Sequence, residues 1–258
     1  MAEVIGVTIP INREIYYFKT NKIKVNKGSF VVVKNDQGLF LGTVVTDKIN
    51  DDKIIDKIER LATKKDFQTK EKNIKDAYKA LIKCRSIAQK NNLNMKIIDS
   101  FYTLDRDKLV FRFTSPERID FRVLAKELAK IYKVRIELRQ IGIRDEASIV
   151  GGLGPCGQVL CCVRFLKDLN AVSINMAKNQ NISLNPTKIN GLCGRLMCCL
   201  KYENEGYCKC RLNMKQIGDE IDTSKGKGTI VGLDILNQKY KVSIPDSGII
   251  EVDKNESN

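Results

Sequence analysis

The chain has 258 residues, 43% hydrophobic and 29% charged, with 45 Lys/Arg against 31 Asp/Glu and a formal charge of +14. That composition is ordinary for globular domains, and the longest apolar runs fall well short of the roughly 20 residues a membrane span needs. Nine cysteines and no histidine exclude Ser–His–Asp or Cys–His catalysis and mixed Cys/His zinc sites within this chain.

The start, MAEVIGVTIP, has neither a positive n-region nor a long apolar h-region, which predicts no signal peptide and a cytoplasmic protein. The basic balance favours polyanionic partners, nucleic acid or acidic proteins, against a lysine surface that only keeps the chain dissolved. In a reducing compartment, dense cysteines point to metal or redox work before disulfides.

Residues 1–50 predict a small β-barrel or half-barrel. VIGVTIP, REIYYFKT, GSFVVVKN and GLFLGTVVT are rich in β-branched and aromatic residues, and Gly28, Gly38 and Gly42 suit tight bends. Residues 51–93 change period. Ile74, Ala77, Tyr78, Leu81, Cys84 and Ala88 fall at helical spacing, which makes Cys84 a structural core cysteine. Residues 57–90 hold 11 Lys/Arg against 4 Asp/Glu, either a solvated face or an electrostatic docking surface.

Residues 96–142 read β–β–α–β. Leu109, Phe111 and Phe113 share one strand face; Ser115 and Pro116 suit a helix cap and first position; Phe121, Leu124, Leu128 and Ile131 make a helical stripe. In VRIELRQIG, Val134, Ile136 and Leu138 turn inward and Arg135, Glu137 and Arg139 outward onto a wet face. Beyond the cysteines, 218–252 predict three strands with turns at Asn237-Gln238 and Asp246-Ser247-Gly248, similar to small SH3-like barrels, and KNESN a frayed tail. The whole is predicted to be α+β. It comprises a barrel-like part (1–50), a layer with a long basic helix and a central antiparallel sheet covered by helices on one face (51–142), an irregular cysteine-rich metal region (143–217), and a small SH3-like β part with a tail (218–258).

The cysteine region writes one phrase twice. GPCGQVLCCVRF (154–165) and GLCGRLMCCLKY (191–202) align without gaps and share Gly, Cys, Gly and the doubled Cys, joined by NISLNPTKING, which reads as an irregular connector. Both doubled cysteines sit in segments of helical composition, where neighbours point about 100° apart. One of each pair is therefore expected to join its upstream cysteine and the other to point elsewhere. One arrangement gathers Cys156, Cys161, Cys193 and Cys198, with Cys162 and Cys199 facing a second site completed by Cys208/Cys210 or by a partner. The inverse puts Cys162 and Cys199 in the first site. Four thiolates suit zinc or iron–sulfur, and the missing paired Cys-x2-Cys of zinc ribbons tilts toward iron–sulfur.

With RIELRQIGIRDEA upstream, the run GGLGPCGQVLCC followed by SLNPTKINGLCGRLMCCLKYE resembles the bacterial YaaT (RicT) family. That family carries the domain first named for the C-terminal part of a yeast polymerase-suppressor protein. VIGV, DFRVLAKELA and VSINMAKNQN fit as well, and the resemblance runs from about 4 to 245. It implies a non-catalytic subunit that assembles with YmcA-like and YlbF-like small helical proteins into a complex carrying [4Fe-4S] clusters. That complex works with membrane-bound ribonuclease Y in messenger RNA processing and affects sporulation, competence and biofilm development. The matching cysteines here are Cys156, Cys161, Cys162, Cys193, Cys198 and Cys199; Cys208 and Cys210 are further candidates outside the recognised stretch. The alternative from the residues alone is a zinc-stabilised RNA- or DNA-binding protein.

Overall fold

A computed structural model describes residues 3–9, 11, 15–21, 23–47, 49–50, 56–166, 171–245 and 248–254. The chain forms two compact units, Met1–Gly151 and Gly152–Asn258. It is a mixed α/β protein with three sheets. Among the described residues no helix is long and apolar enough to cross a membrane.

The first unit opens with strands β1 (Glu3–Thr8), β2 (Ile15–Lys19), β3 (Phe30–Asn35), β4 (Gly38–Val44), β5 (Ile49–Asn50) and β6 (Ile58–Leu61). They pair in the order β2-β1-β4-β3-β6, with β5 on β1. A parallel bridge from Lys19 to Lys57 spans the open side, so the sheet curls toward a barrel around Val7, Phe18, Val31, Val33 and Ile58. Glycine is required where strands cross: a Cβ on Gly42 would stand 2.4 Å from Val7 Cγ1.

Helix α1 (Lys64–Lys90) follows, then β7 (Lys96–Tyr102), β8 (Lys108–Thr114), α2 (Arg122–Tyr132), β9 (Arg135–Gln140) and α3 (Ile143–Val150). Asp66 anchors the start of α1. Its carboxylate accepts the Thr63 N–H (2.7 Å) and a two-pronged Arg60 guanidinium (2.6 and 2.8 Å), and that guanidinium holds it well below the usual carboxylate range. Helices α1 and α2 cover one sheet face around Leu109, Phe111, Phe113, Leu124 and Leu128, with Cys84 fully enclosed among them.

Several expectations change. The three-stranded sheet is not antiparallel throughout: β8 pairs β9 in parallel, because α2 carries the chain back across the sheet between them. Helix α2 starts six residues after Pro116. Ser115 instead caps a bend, its Oγ accepting the Glu117 N–H and donating to the Asn94 carbonyl, while Asp120 receives the Arg122 N–H at the true start. Ile131 is exposed, as are Ile74 and Tyr78 of α1. The inner face of α1 is made instead of Asn73, Ala77, Ala80, Leu81, Cys84, Ile87 and Ala88.

The outer sheet face is not simply wet. Val110 is fully buried, Phe101 packs against Phe40 of the barrel, Arg112 pairs with Asp99, and Glu137 takes Arg139 (2.6 Å) and Lys108 (3.2 Å). Residues 143–150, expected in the cysteine region, form α3 within the first unit. Its Glu146 receives Lys96 (2.6 Å) and Thr114 (3.0 Å). The overlooked signal is Gly142 followed by Asp145 at the third helical position, which takes the Gly142 N–H.

The second unit holds α4 (Cys161–Arg164), α5 (Ile174–Asn179), α6 (Pro186–Ile189) and α7 (Cys198–Arg211). The connector between the phrases is thus partly helical, with Asn185 capping α6 through the Thr187 N–H. An antiparallel meander follows: β10 (Glu220–Thr223), β11 (Gly226–Asp234), β12 (Lys239–Ile244) and β13 (Gly248–Asp253). It has four strands rather than three and its own core of Ile221, Ile230, Tyr240 and Val242. The expected Asn237-Gln238 turn is present, Gln238 adopting a left-handed φ of 55°. Asp246, Ser247 and the tail beyond Lys254 lie outside the described residues.

Candidate metal centre

The two phrases fold alike, bond for bond. In the first, Gly154 N–H donates to Gln158 O (2.8 Å) and Gly157 N–H to Gly154 O (2.9 Å). In the second, Gly191 N–H donates to Arg195 O (2.8 Å) and Gly194 N–H to Gly191 O (2.9 Å). Each turn closes with a bridge, Leu153 to Val159 and Asn190 to Leu196. The glycine after the first cysteine is left-handed in both, with φ of +75° at Gly157 and +76° at Gly194. An extended residue then breaks the turn, Leu160 or Met197, and a helix begins at the doubled cysteine.

Equivalent cysteines therefore occupy equivalent backbone positions. Cys156 and Cys193 stand at the turn, and Cys161/Cys162 and Cys198/Cys199 open helices α4 and α7. A helix N-terminus favours a thiolate there, because its unpaired N–H groups and dipole attract negative charge. The surroundings break the symmetry. Cys162 is buried, Cys156 is exposed, and Cys161, Cys193, Cys198 and Cys199 are partly covered.

The copies meet through α4 and α7. The Phe165 and Tyr202 rings, equivalent residues of the two phrases, stack edge to face at 4.9 Å between centroids. Burial, then the Cys161 thiol and the Glu203 carboxylate, push the Cys199 thiol up. Cys161 thus stands electrostatically beside Cys199 of the other phrase. The eight cysteines of this unit are not joined in disulfides.

The quartet Cys156/Cys161/Cys193/Cys198 is not gathered. Among the described residues no three His, Cys, Asp or Glu side chains stand close enough to hold a metal ion together. The reason is local: each phrase keeps its first cysteine in the turn and its doubled pair at the start of the helix that follows. Cys208 and Cys210 lie on α7 itself, nine or more residues past Cys199. At 1.5 Å per residue that is about 13 Å along the axis, beyond reach of one ion shared with Cys199. Cys208 Sγ instead accepts a 3.6 Å contact from Asn179 of α5. The donor chemistry thus fits a thiophilic metal, while the cross-phrase neighbours amount to a pair, Cys161 and Cys199.

Two supporting residues escaped the sequence reading. Glu203 is one helical turn past Cys199, where i,i+4 spacing on α7 puts it on the same face. Gln180 is buried and donates to the Leu200 carbonyl (2.5 Å), tying the α5 end to the first turn of α7. Cys84, by contrast, belongs to no site: burial pushes its thiol up to about 12.

A family model described as "PSP1 C-terminal conserved region" matches residues 56–141, and one described as "PSP1-like protein, third domain" matches 171–214. The chain is 45% identical over 249 residues to "Stage 0 sporulation protein YaaT" of Bacillus subtilis (strain 168), covering 95% of this chain and 90% of the relative. A second relative, "Protein PSP1" of Saccharomyces cerevisiae, is 51% identical over 49 residues, 19% of this chain and 6% of the yeast protein. An uncharacterised protein of Schizosaccharomyces pombe is 25% identical over 156 residues, 48% of this chain and 21% of its own. No solved structure matches. By its near full-length identity to the Bacillus protein, the chain belongs to the YaaT family of PSP1-type proteins.

Proposed function

We propose that this chain is a non-catalytic, iron–sulfur-carrying adaptor of a cytoplasmic messenger-RNA-processing assembly. It acts with ribonuclease Y and with YmcA-like and YlbF-like helical proteins, and through them in sporulation, competence and biofilm development. The observation that carries the cluster reading is the folded repeat: two turns of the same hydrogen-bond pattern, each with three thiols, brought together through Phe165 and Tyr202 with Cys161 within electrostatic range of Cys199. Cys161 and Cys199 would be the shared ligands. The others would come from Cys156, Cys162, Cys193 and Cys198 or from a partner, and Cys208 and Cys210, too far along α7 to share a site with Cys199, would serve a separate one. A [4Fe-4S] cluster would supply a cross-link between the phrases and a one-electron centre. This chain's own residues supply the thiolates, the helix N-termini that favour them, and the Phe165–Tyr202 contact that holds α4 against α7. The regulatory role draws on the printed name of the Bacillus relative. The non-catalytic role draws on the lack of histidine.

Anaerobic purification tests the cluster directly. The expected product is brown, with broad visible absorption and stoichiometric iron and sulfide. Colourless protein with stoichiometric zinc would overturn the iron–sulfur reading in favour of a zinc-stabilised nucleic-acid-binding protein. Cys161→Ser and Cys199→Ser should each lose the metal; retention in both variants rules out the shared pair.

A further inference from the structure

Helix α1 carries large apolar side chains outward as well as inward, where Leu81 and Ile87 are buried. Facing the sheet are mostly small residues, Ala77, Ala80, Cys84 and Ala88. Facing solvent are Ile74, Tyr78 and Ile82, which are 60%, 65% and 53% exposed. These three stand at i, i+4 and i+8 and so form one continuous ridge along the helix. Single exposed apolar residues are ordinary, but a contiguous row of large ones marks an interaction surface.

The neighbouring ridge is Lys75, Lys79 and Lys83, each one residue on from an apolar one and each exposed. None of the three lysines has an ion pair or hydrogen bond among the described residues. The surface therefore presents an apolar row beside a row of three positive charges.

We propose that this outer face of α1 docks an acidic amphipathic helix of another protein, independently of any metal in the second unit. An i±4 ridge is the element that seats in the i±4 groove of a crossing helix, at about −50° between axes. The occupant needs apolar residues at the same spacing and a row of Asp or Glu beside them to meet the lysines. A second copy of this chain does not meet that need, because self-pairing sets the lysine rows against each other. RNA would use the lysines but has no use for Ile74 and Ile82, which offer nothing to phosphates.

The test uses the full chain and a fluorescent helical peptide with leucine at i, i+4 and i+8 and an adjacent glutamate row. Controls are the same peptide with lysines for glutamates, one with serines for leucines, and a single-stranded RNA of about 20 nucleotides. The acidic amphipathic peptide should bind best. I74S/I82S, which keeps every charge and alters only exposed side chains, should weaken it about tenfold, the scale of losing one well-packed anchor. K75E/K79E/K83E should shift preference to the lysine peptide. Unchanged affinity in I74S/I82S, equal binding of the serine peptide, or RNA that displaces the peptide and binds I74S/I82S undiminished would each overturn the proposal.

Discussion

The helix–sheet layer of the first unit and the cysteine region of the second are stabilised in different ways. In the layer, Phe111, Phe113, Leu109, Leu124 and Leu128 are almost wholly enclosed, and Cys84 is one more small hydrophobe among them. In the cysteine region, the enclosed cluster is only Ala177, Ile189 and Leu200, with Cys162 buried nearby. Its order rests on left-handed glycines, paired turns and short helices, of which α6 is capped by Asn185. Side chains of one chemical kind thus serve as packing in one place and stand partly open in the other. A segment with so small a core is the kind that natural proteins staple with metal or disulfide.

The sharpest way to break that contrast is to remove the proposed cluster. Stripping iron with a chelator, anaerobically, should collapse amide hydrogen-exchange protection across 152–212 by several orders of magnitude. Protection in α1 and β8 should stay unchanged. Unaltered protection in the turns would mean that the folded repeat needs no ligand.

The complementary change is in the layer. Cys84→Ser puts a hydroxyl into an apolar enclosure and should cost about 1–3 kcal/mol, with iron content unchanged. Cys161→Ser should do the reverse, losing iron and with it the order of the cysteine region while the helix–sheet layer stays as stable as before. Denaturation followed by circular dichroism, with metal analysis of the same samples, separates the two. If Cys84→Ser alone released iron, the two roles assigned to cysteine would merge.

A smaller effect concerns how α1 is anchored. Asp66 is held in its charged form by Arg60 and Thr63, so its folded pKa lies below its unfolded value of about 3.9. Such a group stabilises the fold above about pH 4, and the contribution is lost as pH falls below that. Asp66→Asn should cost about 1–2 kcal/mol near neutral pH and progressively less as pH falls below about 4. A cost that did not depend on pH would assign the effect to packing instead of charge.

Much of this contrast is legible in the sequence, for reasons that also explain the misses. The repeat is visible because the turn needs glycine after its first cysteine, and few residues tolerate φ near +75°. Cys84 reads as core because the helix period is local. The inner face of α1 does not, because Ile74 and Tyr78 are the larger apolar residues while the sheet accepts Ala77 and Ala80; which row faces in is decided by the partner surface. Alternation in β9 is the same for parallel and antiparallel pairing, so the direction depends on where α2 returns the chain. The thiol pairing is the least legible feature. Cys161 comes within electrostatic range of Cys199 because α4 packs on α7, an approach of residues 38 positions apart with no signature in either phrase alone.

The finest test asks whether the cysteine region depends on turn geometry to the same degree in both copies. A Cβ on Gly157 or Gly194 would meet nothing within 4 Å, so Gly→Ala there adds no clash and tests only the left-handed backbone, at about 1–2 kcal/mol each. Gly206, on α7, also has open space but ordinary helical geometry, and Gly206→Ala should stabilise by up to about 1 kcal/mol. Opposite signs at sterically equivalent sites would isolate backbone conformation as the cause. If Gly157→Ala and Gly194→Ala cost the same, the two turns contribute equally to the unit. If only Gly194→Ala matters, the turn leading into the 14-residue α7 is the structural one. The turn before the four-residue α4 would then hold Cys156 and Cys161 on a scaffold that binding, not folding, has to order.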